Sequence, residues 1–155
     1  MELPEEIKNS LDKSVLCWLA TVSNEGIPNV SPKEIFKYYK LNRIIIANIA
    51  SPKTVKNIKE NENVCLSFID ILVQKGYQLK GKAKIIDNKN SEFTSMKNEL
   101  DQMTAGLFPF LTITEIKVEQ VKPIIAPRYI FYPNTTEQEQ VKSAKQAYKI
   151  DKLNS

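Results

Sequence analysis

The sequence contains no histidine, and only four glycines and two cysteines in 155 residues. Without histidine there is no Ser-His-Asp triad, no Cys-His pair, no histidine-ligated haem and no histidine-based zinc site. The glycines, at positions 26, 76, 81 and 106, are too far apart to spell a Walker loop or a dinucleotide fingerprint. Cys17 and Cys65 sit far apart inside apolar runs, where a thiol behaves as a small hydrophobe, so a reduced, cytoplasmic setting is expected. No run approaches the ~18 consecutive apolar residues of a membrane span, and the acidic start is unlike a signal peptide. A net charge of only +4, evenly spread, gives no reason to expect a nucleic-acid partner. No metal site is expected. Chemistry must come from lysine, carboxylate, hydroxyl or tyrosine groups, or from a bound cofactor.

The length fits a single domain over residues 1–155. Residues 3–13 read as a short helix, with Glu5 and Glu6 in its first turn and Ile7 and Leu11 on one face. Six strands follow from the apolar patterning: 15–23, 28–39, 43–49, 63–70, 77–87 and 111–121. The first ends in the turn Ser23-Asn24-Glu25-Gly26, and Pro32 places the second at an edge or a bulge. The third, Arg43-Ile44-Ile45-Ile46-Ala47, reads as buried on both faces. The fifth alternates Tyr77, Leu79, Gly81, Ala83 and Ile85 with Gln78, Lys80, Lys82 and Lys84, so one face is wet. Helices are expected at about 52–61 and 90–103. An arm and helix at about 123–150 follow, irregular around Pro123, Pro127 and Pro133 and helical from Thr136, with Thr135 or Thr136 as cap. Hairpin-linked strands without regular β-α alternation point to a mainly β fold, an antiparallel barrel with flanking helices.

The sharpest local signal is Ser51-Pro52-Lys53-Thr54, where a buried strand runs into a helix. Ser51 is a favourable N-cap and Pro52 suits the first helical position. Lys53 and Lys56 lie near the positive end of the helix dipole and Glu60 near the negative end, each misplaced by ~0.3–1 kcal/mol. An anion bound there would turn the lysine cost into a gain, using free amides, a hydroxyl and an ammonium. The same pattern also describes a plain capped helix with solvated lysines. Trp18 reads as core, Tyr38 and Tyr39 as core or rim packing, and Lys80, Lys82 and Lys84 as a solvated stripe. Glu34 carries no visible sign of acid-base tuning. Arg128 and Tyr129, in Ala126-Pro127-Arg128-Tyr129, read as part of a packing arm or as a substrate anchor.

The order of these pieces resembles the pyridoxamine 5′-phosphate oxidase-like, FMN-binding split-barrel family. Leu19-Ala20-Thr21-Val22, the hairpin Gly26 and Pro28-Asn29-Val30-Ser31-Pro32 are similar to its opening. Ser51-Pro52-Lys53-Thr54 with Asn57-Ile58 and Asn61 is similar to its phosphate segment, and Gly81-Lys82-Ala83 to a later strand. The resemblance implies a six-stranded Greek-key split barrel, a homodimer, and one FMN per subunit at the interface. Ser51, Lys53 and Thr54 would hold the phosphate, and Asn57 would support that corner or reach the ribityl chain. Ser31, Pro32 and Lys33 would lie beside the flavin, Ala47 and Asn48 would supply backbone contacts, and Gln78 would face the cofactor from the sheet. Pro52 stands where an arginine is usual, and the substrate signature of true pyridoxamine phosphate oxidases is missing. The implied function is an oxidoreductase passing hydride or electrons through FMN, with NADH, NADPH or a protein as donor. The alternative is a non-catalytic FMN-binding protein for storage or sensing. A deazaflavin would look much like FMN at this corner.

Overall fold

A computed structural model of the chain describes residues 2–150. The expectations for residues 1 and 151–155 lie outside the described residues. Helix α1 (Glu5–Lys13) starts behind Pro4, with Glu5 and Glu6 in its first turn and Ile7 and Leu11 buried. The strands are β1 (Cys17–Val22), β2 (Pro28–Lys33), β3 (Phe36–Tyr39), β4 (Arg43–Ala47), β5 (Asn63–Asp70), β6 (Lys75–Ile86) and β7 (Ile113–Ile125). Helix α2 (Pro52–Glu60) connects β4 to β5, and α3 (Phe93–Asp101) connects β6 to β7. A short α4 (Pro127–Phe131) and α5 (Glu137–Tyr148) complete the order.

All strands join one antiparallel sheet in the order β2-β1-β5-β6-β7-β4-β3. The strand count is therefore seven, not six, because the segment 28–39 is two strands rather than one. β2 pairs with β1 at one edge of the sheet, and β3 pairs with β4 at the other. Between them lies a bend at Glu34 and Ile35. Three residues cannot span more than ~11 Å, so the bend holds the two edges together and rolls the sheet into a half-barrel. The bend also switches faces. Lys33 and Phe36 are both buried, although an unbroken strand would point them to opposite sides.

Two apolar cores flank the rolled sheet. Inside, Leu19, Leu66, Leu79, Ile44, Ile46 and Ile116 pack with Leu3, with Ile7 and Leu11 from α1 and with Ile58 from α2. Outside, Ile45, Ala47, Ile86 and Ile113 pack under Met96 and Leu100 of α3. β4 is thus buried on both faces, as its unbroken Ile-Ile-Ile-Ala run implies. Elsewhere the outer face is uncovered among the described residues, and Trp18 (47% exposed) and Val30 (58%) stand on it. Trp18 is therefore not a core residue. It pairs with Pro32 and Ser67, whereas its neighbours Cys17 and Leu19 point inward and are fully buried. Period-2 alternation leaves a strand no other choice.

A charge cluster fixes α3 to the sheet. Arg43 reaches Glu92, at the N-cap position of α3, through two bonds of 2.7 and 3.1 Å, and Glu115 at 3.0 Å. This fork holds the Glu92 carboxyl down at about 2. A depressed folded-state pKa means stability that is present above ~4.5 and lost as pH falls toward 2. Glu92 is substantially exposed, so solvent screening keeps the effect below ~1 kcal/mol. In urea denaturation Glu92→Gln should fall behind wild type at pH 6, and the gap should narrow as pH falls to 2.5; parallel pH profiles would sink this account.

The C-terminal region is more ordered than its prolines suggest. β7 runs through Pro123 because β4 pairs only with Ile113–Lys117, so Pro123 stands where β7 has a free edge. Thr136 caps α5 in a full capping box with Glu139.

Candidate anion site and cleft

The corner begins where β4 ends. Ala50 adopts a left-handed backbone conformation (φ 48°) that costs a non-glycine residue ~1–2 kcal/mol, and the chain then turns into α2. Ser51 occupies the N-cap position, but its hydroxyl does not cap the helix. It donates to the Ile49 carbonyl at 2.9 Å and accepts from the Lys33 ammonium. The first intrahelical amide bond is that of Val55, to Ser51 O at 3.1 Å. Pro52 has no N–H, so the amides of Lys53 and Thr54 are the two left without a partner among the described residues.

Hydroxyl and amine groups of β2 reach the start of α2. Thr54 is buried, with its Oγ1 3.0 Å from Ser31 Oγ on β2. Lys33, two residues along β2, is 6% exposed and has no carboxylate within ion-pair distance among the described residues. Burial holds its amine below the usual lysine range. Asn57 is buried one turn along and donates to Thr21 Oγ1 at 3.0 Å, which ties α2 to β1. Lys53 is exposed at the helix mouth.

Beside the corner opens a cleft of about 440 Å³, within the range of small-ligand sites. Pro32, Lys33, Glu34 and Ala47 line one side; Ile35 and Ile49 deepen it, and Met103, Thr104 and Phe108 close it from the segment after α3. The last three residues carry no recognisable motif, and only the fold brings them to the cleft. The Thr104 hydroxyl is buried without a hydrogen-bond partner among the described residues.

The other expected residues are placed differently. The N–H of Ala47 bonds Ile35 O at 3.0 Å and that of Asn48 bonds Thr112 O at 3.1 Å, so neither amide is a donor to a ligand. Both ends of the Asn48 side chain are bonded to Thr112 and Thr114 of the β7 region. Gln78 lies on the outer face of β6, in the row Pro32–Trp18–Ser67–Gln78. Three strand spacings, ~14 Å, separate it from β2. Arg128 and Tyr129 lie on α4, where the Tyr129 hydroxyl donates to Val73 O at 2.8 Å. They belong to an arm docked on the β5–β6 turn and stay away from the cleft. Among the described residues there is no group of three or more acidic, cysteine or histidine side chains able to hold a metal. No helix among them is long and apolar enough to cross a membrane.

The chain is a rolled antiparallel half-barrel in which two unpaired helix amides lie beside a cleft. The family model of pyridoxamine 5′-phosphate oxidase matches residues 3–125, and the chain belongs to that family. No curated protein matches the sequence. Solved structures share the fold at low identity. HupZ from Group A Streptococcus is 23% identical, with a TM-score of 0.66 over 77% of this chain and 91% of that one. An FMN-binding protein from Syntrophomonas wolfei is 20% identical, with a TM-score of 0.66 over 77% and 84%. HutZ from Vibrio cholerae, a haem storage protein, is 17% identical, with a TM-score of 0.64 over 80% and 96%.

Proposed function

We propose that this protein is an FMN-binding flavoprotein of the oxidoreductase class, acting as a homodimer in a reducing cytoplasm. The observation that carries the reading is the corner itself: two unpaired helix amides, the hydroxyls of Ser31 and Thr54, and a buried lysine without a counter-ion. That donor set fits a phosphate monoester. Family membership supports the same reading, as does the flavin bound by the Syntrophomonas wolfei protein. Haem is less well suited, because the chain has no histidine to ligate its iron.

The Lys53 and Thr54 amides, with Ser31, Thr54 and Lys53 side chains, would hold the phosphate. Pro32, Ile35, Ala47 and Ile49 would give the ring an apolar seat that excludes water. Bound FMN supplies hydride or single-electron transfer, and the protein supplies binding, orientation and shielding. The uncovered outer face carrying Trp18 and Val30 suits a second copy.

The test is the absorption spectrum of the purified protein, followed by FMN titration read by fluorescence quenching. Stoichiometric quenching is expected; its absence would remove the flavin reading and leave the fold intact. Turnover with NADH or NADPH and an acceptor separates an enzyme from a storage or sensing protein. For the dimer, Trp18→Lys should shift sedimentation from dimer to monomer at micromolar concentration, and a wild-type monomer saturated with FMN would contradict the interface.

A further inference from the structure

Lys33 sits where its charge is hardest to explain. Among the described residues it is buried, no carboxylate pairs with it, and its only polar contact is the Ser51 hydroxyl. An isolated buried ammonium is costly unless it has a task. The Ser51 contact has a consequence for α2. A serine at an N-cap position ordinarily turns its hydroxyl onto the amide two or three residues ahead. Here those amides belong to Lys53 and Thr54, and they stay unpaired while the hydroxyl faces Lys33 and the Ile49 carbonyl. The backbone conforms to that arrangement: Ser51 has ψ 51° rather than an extended value, directly after the left-handed Ala50.

We propose that Lys33 is a positioning residue that keeps the anion corner open by drawing the Ser51 hydroxyl away from the first turn of α2. In this arrangement the protein forgoes a helix cap so that an arriving anion finds both amides free. The proposal rests on the corner being the phosphate site of the functional reading, but the uncapped state is a property of the ligand-free chain and is measurable without ligand.

Burial also lowers the affinity of Lys33 for its proton, and a phosphate nearby would raise it again. Cys17 lies directly across from Lys33 on β1 and is the titratable group that acts on it. Cys17 is pushed up to about 12 by its own burial, so it stays a neutral thiol and supplies no counter-charge.

The experiment compares wild type with Lys33→Met and Lys33→Gln by amide hydrogen exchange, thermal melting and FMN titration. In both variants the Thr54 amide should exchange about fivefold or more slowly, because Ser51 returns to cap it. Melting temperature should rise while FMN affinity falls about tenfold. The combination of slower exchange at Thr54, higher stability and weaker phosphate binding is not expected from loss of a merely structural lysine. Unchanged Thr54 exchange in both variants overturns the proposal. If wild type shows no FMN binding but the exchange pattern appears, the positioning role of Lys33 stands and the flavin reading falls.

Discussion

Lys53→Ala should weaken FMN binding about ten- to thirtyfold and at the same time make the ligand-free protein slightly more stable. The two effects have one cause. Lys53 lies in the first turn of α2, where the helix dipole repels a positive charge by ~0.3–1 kcal/mol. Removing it relieves that repulsion in the empty protein. With a phosphate at the corner, the ammonium instead adds a charge-assisted contact, worth ~1.5–3 kcal/mol when well aligned and less at an exposed position. Affinity for lumiflavin should be untouched, and the affinity loss for FMN should shrink with added salt as the exposed charge is screened. Fluorescence titration at two ionic strengths, with a thermal melt of each apo protein, measures both signs. A variant that binds FMN as tightly as wild type would remove Lys53 from the site, and one that loses stability would show it to be a structural residue.

The start of α2 was legible in the sequence because its logic is local. Ser51 and Pro52 signal a helix start by their order alone, whereas the order of Ser51, Pro52, Lys53 and Thr54 fits a plain capped helix as well as an anion site. What the sequence did not disclose is the behaviour of the Ser51 hydroxyl. Capping preference describes a helix in isolation, whereas Lys33 reaches Ser51 from a strand 18 residues away. Helices and strands with one clear period were also legible: β4 by its unbroken apolar run, β6 by its alternation, α1 by Ile7 and Leu11. The segment 28–39 was not. Val30, Phe36 and Tyr38 share a parity that suggests one strand, yet Val30 faces outward and Phe36 inward. The bend at Glu34 and Ile35 inserts the change of face, and only the pairing of β2 and β3 with opposite sheet edges reveals it. The same limit explains Trp18. A tryptophan within an apolar strand invites a core assignment, but its neighbours Cys17 and Leu19 already take the inner face. Met103, Thr104 and Phe108 had no signal at all, since their place at the cleft depends on how the segment after α3 returns to β7.

Gly81→Ala should destabilise the sheet by about 3 kcal/mol or more. The reason is proximity rather than backbone freedom. A Cβ at Gly81 would lie 2.0 Å from Lys117 O and 2.9 Å from Lys117 C, and both are backbone atoms that cannot rotate away. The β6–β7 ladder runs from Lys75–Ile125 to Ile86–Ile113 and has its register shift between Lys80 and Gly81. A methyl group there pushes β7 off β6 at the point where β7 also bonds elsewhere: Val118 N donates to Asn42 O at 2.9 Å, and Lys117 pairs with Arg43. Strain at Gly81 therefore reaches β4, whose far end feeds directly into Ala50 and Ser51. The expected result is a large fall in the urea midpoint, with little soluble protein at growth temperature. Gly106→Ala is the matched control. Its Cβ would meet nothing within 4 Å, although its φ of 73° makes alanine strained by ~1–2 kcal/mol. If the two variants lose similar stability, the cost at Gly81 is conformational and the close β6–β7 approach is not what that glycine provides. If Gly81→Ala loses clearly more, the bulge is a fixed joint of the barrel, and the corner at Ser51 depends on it from the opposite end of β4.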